Sequence, residues 1–270
     1  MKAATGNFKR IGLELGGKNP NIVFADADLD VAVDYALNAA FFHAGQVCSA
    51  GSRLMIEHSI YDAFVAKLAE RLPRIAIGNG FHAETQMGPV QSAQQHEKIL
   101  RMVQAGVAEG ARLVYGGKRP EGDVYRKGYW LQPTLLADVS ADMNIAKEEI
   151  FGPVVTAERF HSEDDALRAA NDTPYGLAAA VWTRDLDKAN RMSRAALWHG
   201  LGERLPSVLS GSTVGRLQGQ RHRPRTGAHR PGRVHRTETQ LHQPRTEGDG
   251  VVRRLSAGVA HITHQEETAR

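Results

Sequence analysis

The chain has 270 residues, 34 Lys or Arg against 30 Asp or Glu, and 41% hydrophobic content, enough for a real core in one large domain or two small ones. Its single cysteine excludes an internal disulfide and any metal site built on cysteine pairs, and fits a reducing compartment. The opening MKAATGNFKRIGLELGG has no long apolar run of the leader type, and no stretch of about 18 apolar residues occurs anywhere, so the expectation is a soluble, cytoplasmic protein that does not engage a membrane.

Strand-like and helix-like segments alternate up to residue 197. Asn21–Phe24 is a short apolar run. Asp28 is placed to cap a helix from Leu29 to about His43, which sets Ala32, Tyr35, Ala36, Ala39 and Phe42 along one side and ends at Gly45. Leu54–Ile56 reads as a strand. Ser59 followed by Asp62 resembles a capping box, and Ile60, Phe64, Leu68 and Leu72 recur at the spacing of one helical face. A helix from Ser92 to Glu109 carries Ile99, Val103 and Val107 and stops at Gly110, and Leu113–Tyr115 is strand-like before the Gly116-Gly117 turn. Trp130–Leu136, Val154–Phe160 and Ala178–Thr183 read as extended, with a helix Glu163–Asn171 capped by Ser162 and another over Leu186–Ala196. This is the α/β pattern of a parallel sheet with crossover helices.

Beyond residue 197 the pattern fails. From Trp198 onward there are 12 Arg, no Lys and 6 acidic residues, whereas residues 1–197 hold 22 basic against 24 acidic. Trp198 is the last aromatic residue, and 7 of the 12 histidines lie beyond it. Composition alone makes Leu201 to about Arg254 a disordered, basic segment.

Cys48 stands in FFHAGQVCSAGSR, Phe41–Arg53, between glycines. A lone cysteine is by default a small buried hydrophobe, so its meaning depends on its company. That company is LELGGKNP at Leu13–Pro20, GQVC at Gly45–Cys48, EEIFGPV at Glu148–Val154 and NDTPYGLAAAVWT at Asn171–Thr183. Their order and spacing resemble the aldehyde dehydrogenase family over about residues 7–197. The resemblance implies that family's catalytic-domain fold, with a parallel sheet and flanking helices. It also implies oxidation of an aldehyde to the carboxylate with NAD or NADP.

Such chemistry needs a nucleophile that adds to the carbonyl, and a thiolate does this well. By resemblance Cys48 is that nucleophile and Glu14 is the base that activates water to hydrolyse the resulting thioester. By the same resemblance Glu149 and Phe151 face the cofactor, the carboxylate accepting hydrogen bonds from the nicotinamide-side ribose. Asn171 is read as structural, His43 as an ordinary core or surface histidine, and Gly78-Asn79-Gly80 and Gly116-Gly117 as turns rather than phosphate loops. No metal site is expected.

In that family a dinucleotide-binding domain precedes the LELGG segment, so the expected organisation is a catalytic domain over 1–197 without that domain, followed by an irregular tail over 198–270. Reread from the second base of each codon, with suitable synonymous choices, His199–Val208 permits TVWVNDFHPY and Val214–Thr226 permits WGGFKGSGIGREL. These strings resemble the end of an aldehyde dehydrogenase of the betaine-aldehyde type, which makes betaine aldehyde or an aminoaldehyde the expected substrate and a shift of reading frame near Ala195–Trp198 the expected cause of the tail. The family forms homo-oligomers through a C-terminal strand that this frame does not encode, and loss of that strand would leave a sheet edge bare. The alternative is a truncated, frameshifted fragment without activity. A nucleic-acid-binding tail is disfavoured, since the segment lacks Lys and any aromatic beyond Trp198 for stacking on bases.

Overall fold

The structure, a computed structural model, describes Gly6, residues 12–196 and the backbone of residues 207–211, 215–217 and 239–240. Six helices and nine strands are defined among these residues: β1 Pro20–Val23, α1 Leu29–Phe41, β2 Arg53–Glu57, α2 Tyr61–Arg71, α3 Ala93–Ala108, β3 Arg112–Tyr115, β4 Thr134–Ala137, α4 Asn144–Lys147, β5 Val154–Phe160, α5 Glu163–Asn171, β6 Ala178–Trp182, α6 Leu186–Ala195, β7 Ser207–Gly211, β8 Gly215–Leu217 and β9 Thr239–Gln240. The strands form one sheet in the order β3-β4-β5-β2-β1-β6-β7-β8-β9. From β4 through β7 every pairing is parallel, and only β3 and the β7-β8-β9 end run antiparallel.

The parallel strands are buried on both faces, as crossover helices require. On one face Val23, Leu54, Ile56, Val155, Ala157 and Trp182 pack against Ala32, Val33, Ala36 and Ala40 of α1 and Phe64, Val65 and Leu68 of α2. On the other, Ile22, Met55, Phe160 and Val181 meet Ala166 and Ala170 of α5 and Met192 of α6. The helix starts follow from local chemistry. Asp28 accepts from Val31 N, Ser92 from Gln95 N, Ser162 from Asp165 N, and Asp185 from both Asp187 N and Lys188 N. Asn171, the last residue of α5, donates from its side-chain amide to Ala195 O at the end of α6.

Several sequence expectations are corrected. Helix α1 ends at Phe41 rather than His43, because His43, Ala44 and Gly45 adopt left-handed φ of 52°, 55° and 68°, so Phe41 enters the core and Phe42 faces out. The Ser59/Asp62 pair forms no capping box: Ser59 turns to Glu57, and Asp62 pairs with Arg159 of β5 at 2.7 Å. Val107 is 42% exposed, and α3 packs inward through Ile99, Val103 and Gly106. The extended segment at Trp130–Leu136 narrows to β4. In the tail, β7 pairs along the whole of β6, so β6 is not a bare edge. The expectation of disorder elsewhere beyond residue 197 lies outside the described residues.

Candidate active site

Each of the four sequence motifs immediately precedes a strand. LELGGKN runs into β1, GQVCSAGS into β2, EEIFGP into β5 and NDTPYGL into β6. These strands are neighbours in the order β5-β2-β1-β6 and are all parallel, so the four segments are gathered at the amino-terminal edge of the sheet.

The gathering is a set of close backbone approaches. Gly45, with φ of 68°, abuts the carbonyl of Gly152, which a Cβ at Gly45 would strike. A Cβ at Gly17 would lie 2.5 Å from Cys48 O and 2.7 Å from Asn19 Oδ1. Gly17 N–H donates to Glu149 Oε1 at 3.1 Å, and Glu149 Oε2 lies over Gly16, where no side chain intervenes. Asn19, 3% exposed, donates from Nδ2 to Cys48 O at 2.8 Å and to Ala50 O at 2.9 Å, while its Oδ1 accepts from Ala178 N at 3.0 Å. Gln46 Nε2 donates to His43 O and its Oε1 accepts from Gln91 N, which fastens the loop ahead of Cys48 to the approach of α3. Gln95 of α3 donates to Ile150 O and Phe151 O, and Lys98 to Glu149 O. The strained Phe151 backbone, φ 55°, is held by the first of these side chains.

Cys48 is thus half-buried in a loop tied to Gly17 and Asn19 on one side and abutting Gly152 on the other. Glu149 and Phe151, also half-buried, reach the same edge. Glu14 lies on the exposed approach to Gly16, two residues before it. His43 is exposed and turns its ring edge-on to Phe42.

Sequence reasoning missed the buried charges beneath this edge. Arg53, at the first position of β2, is 1% exposed and donates to Ala169 O at the end of α5, 2.8 Å away, so its charge faces a helix carboxyl terminus. Glu158 of β5, 4% exposed, lies 3.7 Å from Arg53 Nε. Lys18 is 1% exposed, and its Nζ has no hydrogen-bond partner among the described residues. Burial, reinforced by the Arg53 charge, lowers the Lys18 ammonium to about 7, against the pull of Glu158, Glu149 and Glu148. Burial likewise raises Glu158 to about 6, opposed by Arg53 and Lys18. The available signal was the two-residue period of the sheet, which sets Arg53, Thr156 and Glu158 on one face of strands otherwise apolar on that side.

A family model, "Aldehyde dehydrogenase family", matches residues 1–198. The chain belongs to the aldehyde dehydrogenase family. It is 57% identical over 193 residues to betaine aldehyde dehydrogenase of Bacillus subtilis (strain 168), covering 72% of this chain and 39% of that protein. It is 49% identical over 193 residues to human retinal dehydrogenase 2, covering 72% and 36%. Among solved structures, betaine aldehyde dehydrogenase from Staphylococcus aureus in complex with NAD+ superposes with a TM-score of 0.72 at 46% identity, covering 77% of this chain and 40% of that one. The chain therefore spans about two fifths of the length of these relatives.

The family uses NAD(P). Among the described residues Glu149 and Phe151 are half-buried, and Glu149 Oε1 accepts from Gly17 N–H. No glycine-rich turn joins a strand to a helix among the described residues, so a pyrophosphate cradle of that kind is not among them. Nor does any group of three or more His, Cys, Asp or Glu there suit a metal ion, and no described helix is long and apolar enough to cross a membrane.

Proposed function

We propose that this chain carries the catalytic machinery for oxidising an aldehyde, betaine aldehyde or an aminoaldehyde in the first instance, to its carboxylate. The Cys48 thiolate adds to the aldehyde carbonyl, forming a C–S bond and a thiohemiacetal. Bound NAD(P)+ would supply the two-electron oxidant that converts this adduct to a thioester, with Glu149 and Phe151 holding its nicotinamide-side ribose. Glu14 then takes a proton from water as that water attacks the thioester carbonyl, the C–S bond breaks, and carboxylate leaves with the thiolate restored.

The observation that carries this reading is the direct packing of the Gly17–Asn19 segment on the Cys48 carbonyl, with the Glu149 carboxylate on the same segment. The test is turnover by the full chain. NADH formed from betaine aldehyde and NAD+, and p-nitrophenol released from p-nitrophenyl acetate, should both be lost in Cys48→Ser. In Glu14→Gln the ester should give a one-equivalent burst with a steady-state rate at least tenfold lower. Ester hydrolysis undiminished in Cys48→Ser would overturn the assignment.

A second reading, the same scaffold without turnover, is favoured by the span of only two fifths of the relatives' length. Absence of both NADH formation and Cys48-dependent ester hydrolysis would establish it. For the organisation of the chain we propose a catalytic domain over 1–197 and a frameshifted tail over 198–270. Support comes from the family match, which stops at residue 198 where the composition changes. Gene sequence that fails to spell the offset strings would refute the frameshift.

A further inference from the structure

We infer that Asn19 is the positioning residue for Cys48, an inference that rests on the reading of Cys48 as the nucleophile. The Asn19 side chain uses both of its amide hydrogens and one lone pair of its carbonyl to join two separate segments: it donates to Cys48 O at 2.8 Å and Ala50 O at 2.9 Å in the thiol loop, and accepts from Ala178 N at 3.0 Å at the start of β6. The amide orientation is fixed by these partners, because the flipped form would set a carbonyl oxygen against two carbonyls and an NH2 against an N–H. The two donated bonds bracket Ser49, gripping the chain on both sides of the turn that follows the thiol. Asn19 itself is immobile: it is 3% exposed, precedes β1 directly, and its own carbonyl accepts from Arg53 N at the start of β2.

The need for such a grip is visible upstream. Three consecutive residues, His43, Ala44 and Gly45, hold left-handed backbone conformations, and two of them carry side chains that disfavour it. Gln46 holds the near end of that stretch through His43 O and Gln91 N, and Asn19 holds the far end at the Cys48 carbonyl. No other residue type reproduces the pattern. Asp has no proton to give either carbonyl, Ser can donate once, and Gln places its amide one methylene too far.

The experiment compares Asn19→Ala and Asn19→Ser with the parent full chain by Cys48-dependent p-nitrophenyl acetate hydrolysis, by the rate of iodoacetamide alkylation of Cys48 across pH 6–9, and by thermal unfolding. Asn19→Ala is expected to lower kcat by about 10–100-fold with KM changed less than about threefold, the size of effect that a misplacement near 1 Å produces. Alkylation, measured well below the unfolding midpoint, should accelerate at least fivefold as the loop opens, and its pH midpoint should shift. Asn19→Ser, keeping one donor, should recover part of both effects and serves as the variant to read if Asn19→Ala does not fold. A folded variant with lowered melting temperature but parental kcat and an alkylation rate within twofold of the parent would overturn the inference. If the parent shows no Cys48-dependent turnover, it is the proposed function that fails; the alkylation rates still decide whether Asn19 positions the thiol.

Discussion

Lys18 should make this protein gain stability as pH rises above neutrality, the reverse of a surface lysine such as Lys67, whose hydrogen bond to Asp30 raises its pKa so that its contribution is lost at high pH. In the native state burial and the Arg53 charge lower its ammonium to about 7, whereas the unfolded chain keeps the ordinary 10.5. Between these values the unfolded state holds a proton that the native state has lost, so unfolding becomes harder as pH increases. The slope approaches about 1.4 kcal/mol per pH unit, and the gain from pH 7 to 9 is about 2 kcal/mol. Glu158 works in the opposite sense at lower pH. Burial raises it from 4.5 to about 6, so the native state retains a proton that the unfolded state has released, and that contribution is present below pH 4.5 and lost as pH rises through 6, again about 2 kcal/mol.

The two together place a stability minimum between pH 6 and 7, with Asp172, at the end of α5, pushing Glu158 further up and the Arg53 charge holding it down. Urea unfolding at half-unit pH steps from 5 to 9, followed by tryptophan fluorescence with the buried Trp182 as core reporter, measures the curve. Lys18→Met removes a buried ionisable group that lacks a hydrogen-bond partner. It should abolish the rise above pH 7 and add about 1–3 kcal/mol at pH 6.5, the range seen when buried charge gives way to apolar side chains. Stability that is flat or falling from pH 7 to 9 in the parent, or an unchanged rise in Lys18→Met, would refute the reasoning.

Gly17→Ala should cost at least tenfold in Cys48-dependent ester hydrolysis and about 1–3 kcal/mol of stability, because the new Cβ meets the Cys48 carbonyl and the Asn19 amide, neither of which can give way without breaking the hydrogen bond between them; parental activity would show that the loop has slack. Tyr61→Phe should cost about 1–3 kcal/mol by urea unfolding with no effect on catalysis, since the buried hydroxyl donates to Ala157 O and accepts from Asp138 N, and both backbone groups would lose that partner.

Local chemistry was legible and long-range partnership was not. The bounds of β5 and α5 could be read directly, because the β-branched start Val154-Val155-Thr156 opens the strand and Ser162, two residues after its end at Phe160, caps the following helix. The end of α1 could not, since nothing in FHAG except the glycine announces three left-handed residues, and Ala44 adopts that conformation only under tertiary constraint. The Ser59/Asp62 pattern misled because Asp62 has a better partner, Arg159, nearly a hundred residues away. Cys48 and Glu149 are legible as candidates through motifs, whereas the contacts of Asn19, inside one of the same motifs, are not, because its partners are three backbone groups that carry no sequence signal.

The position of the site follows from one topological fact. In open parallel sheets, ligand sites ordinarily lie beyond the carboxyl ends of the strands, where loops lead into helices. Here those connections are short and without glycine, as in Phe24–Asp28 and Thr183–Asp185, and the residues of chemical interest stand at the opposite edge. That edge receives chain arriving from helices, and its segments must pass close to one another to enter adjacent strands some 4.8 Å apart. Crowding of this kind demands backbone without side chains, which is why Gly17 meets Cys48 and Gly45 meets Gly152. The glycines that make the motifs recognisable are therefore the contacts that assemble the site. A Cβ at Gly17 would press the thiol loop away from the segment that holds Asn19, and one at Gly45 would press it away from Gly152 and the turn that leads into β5.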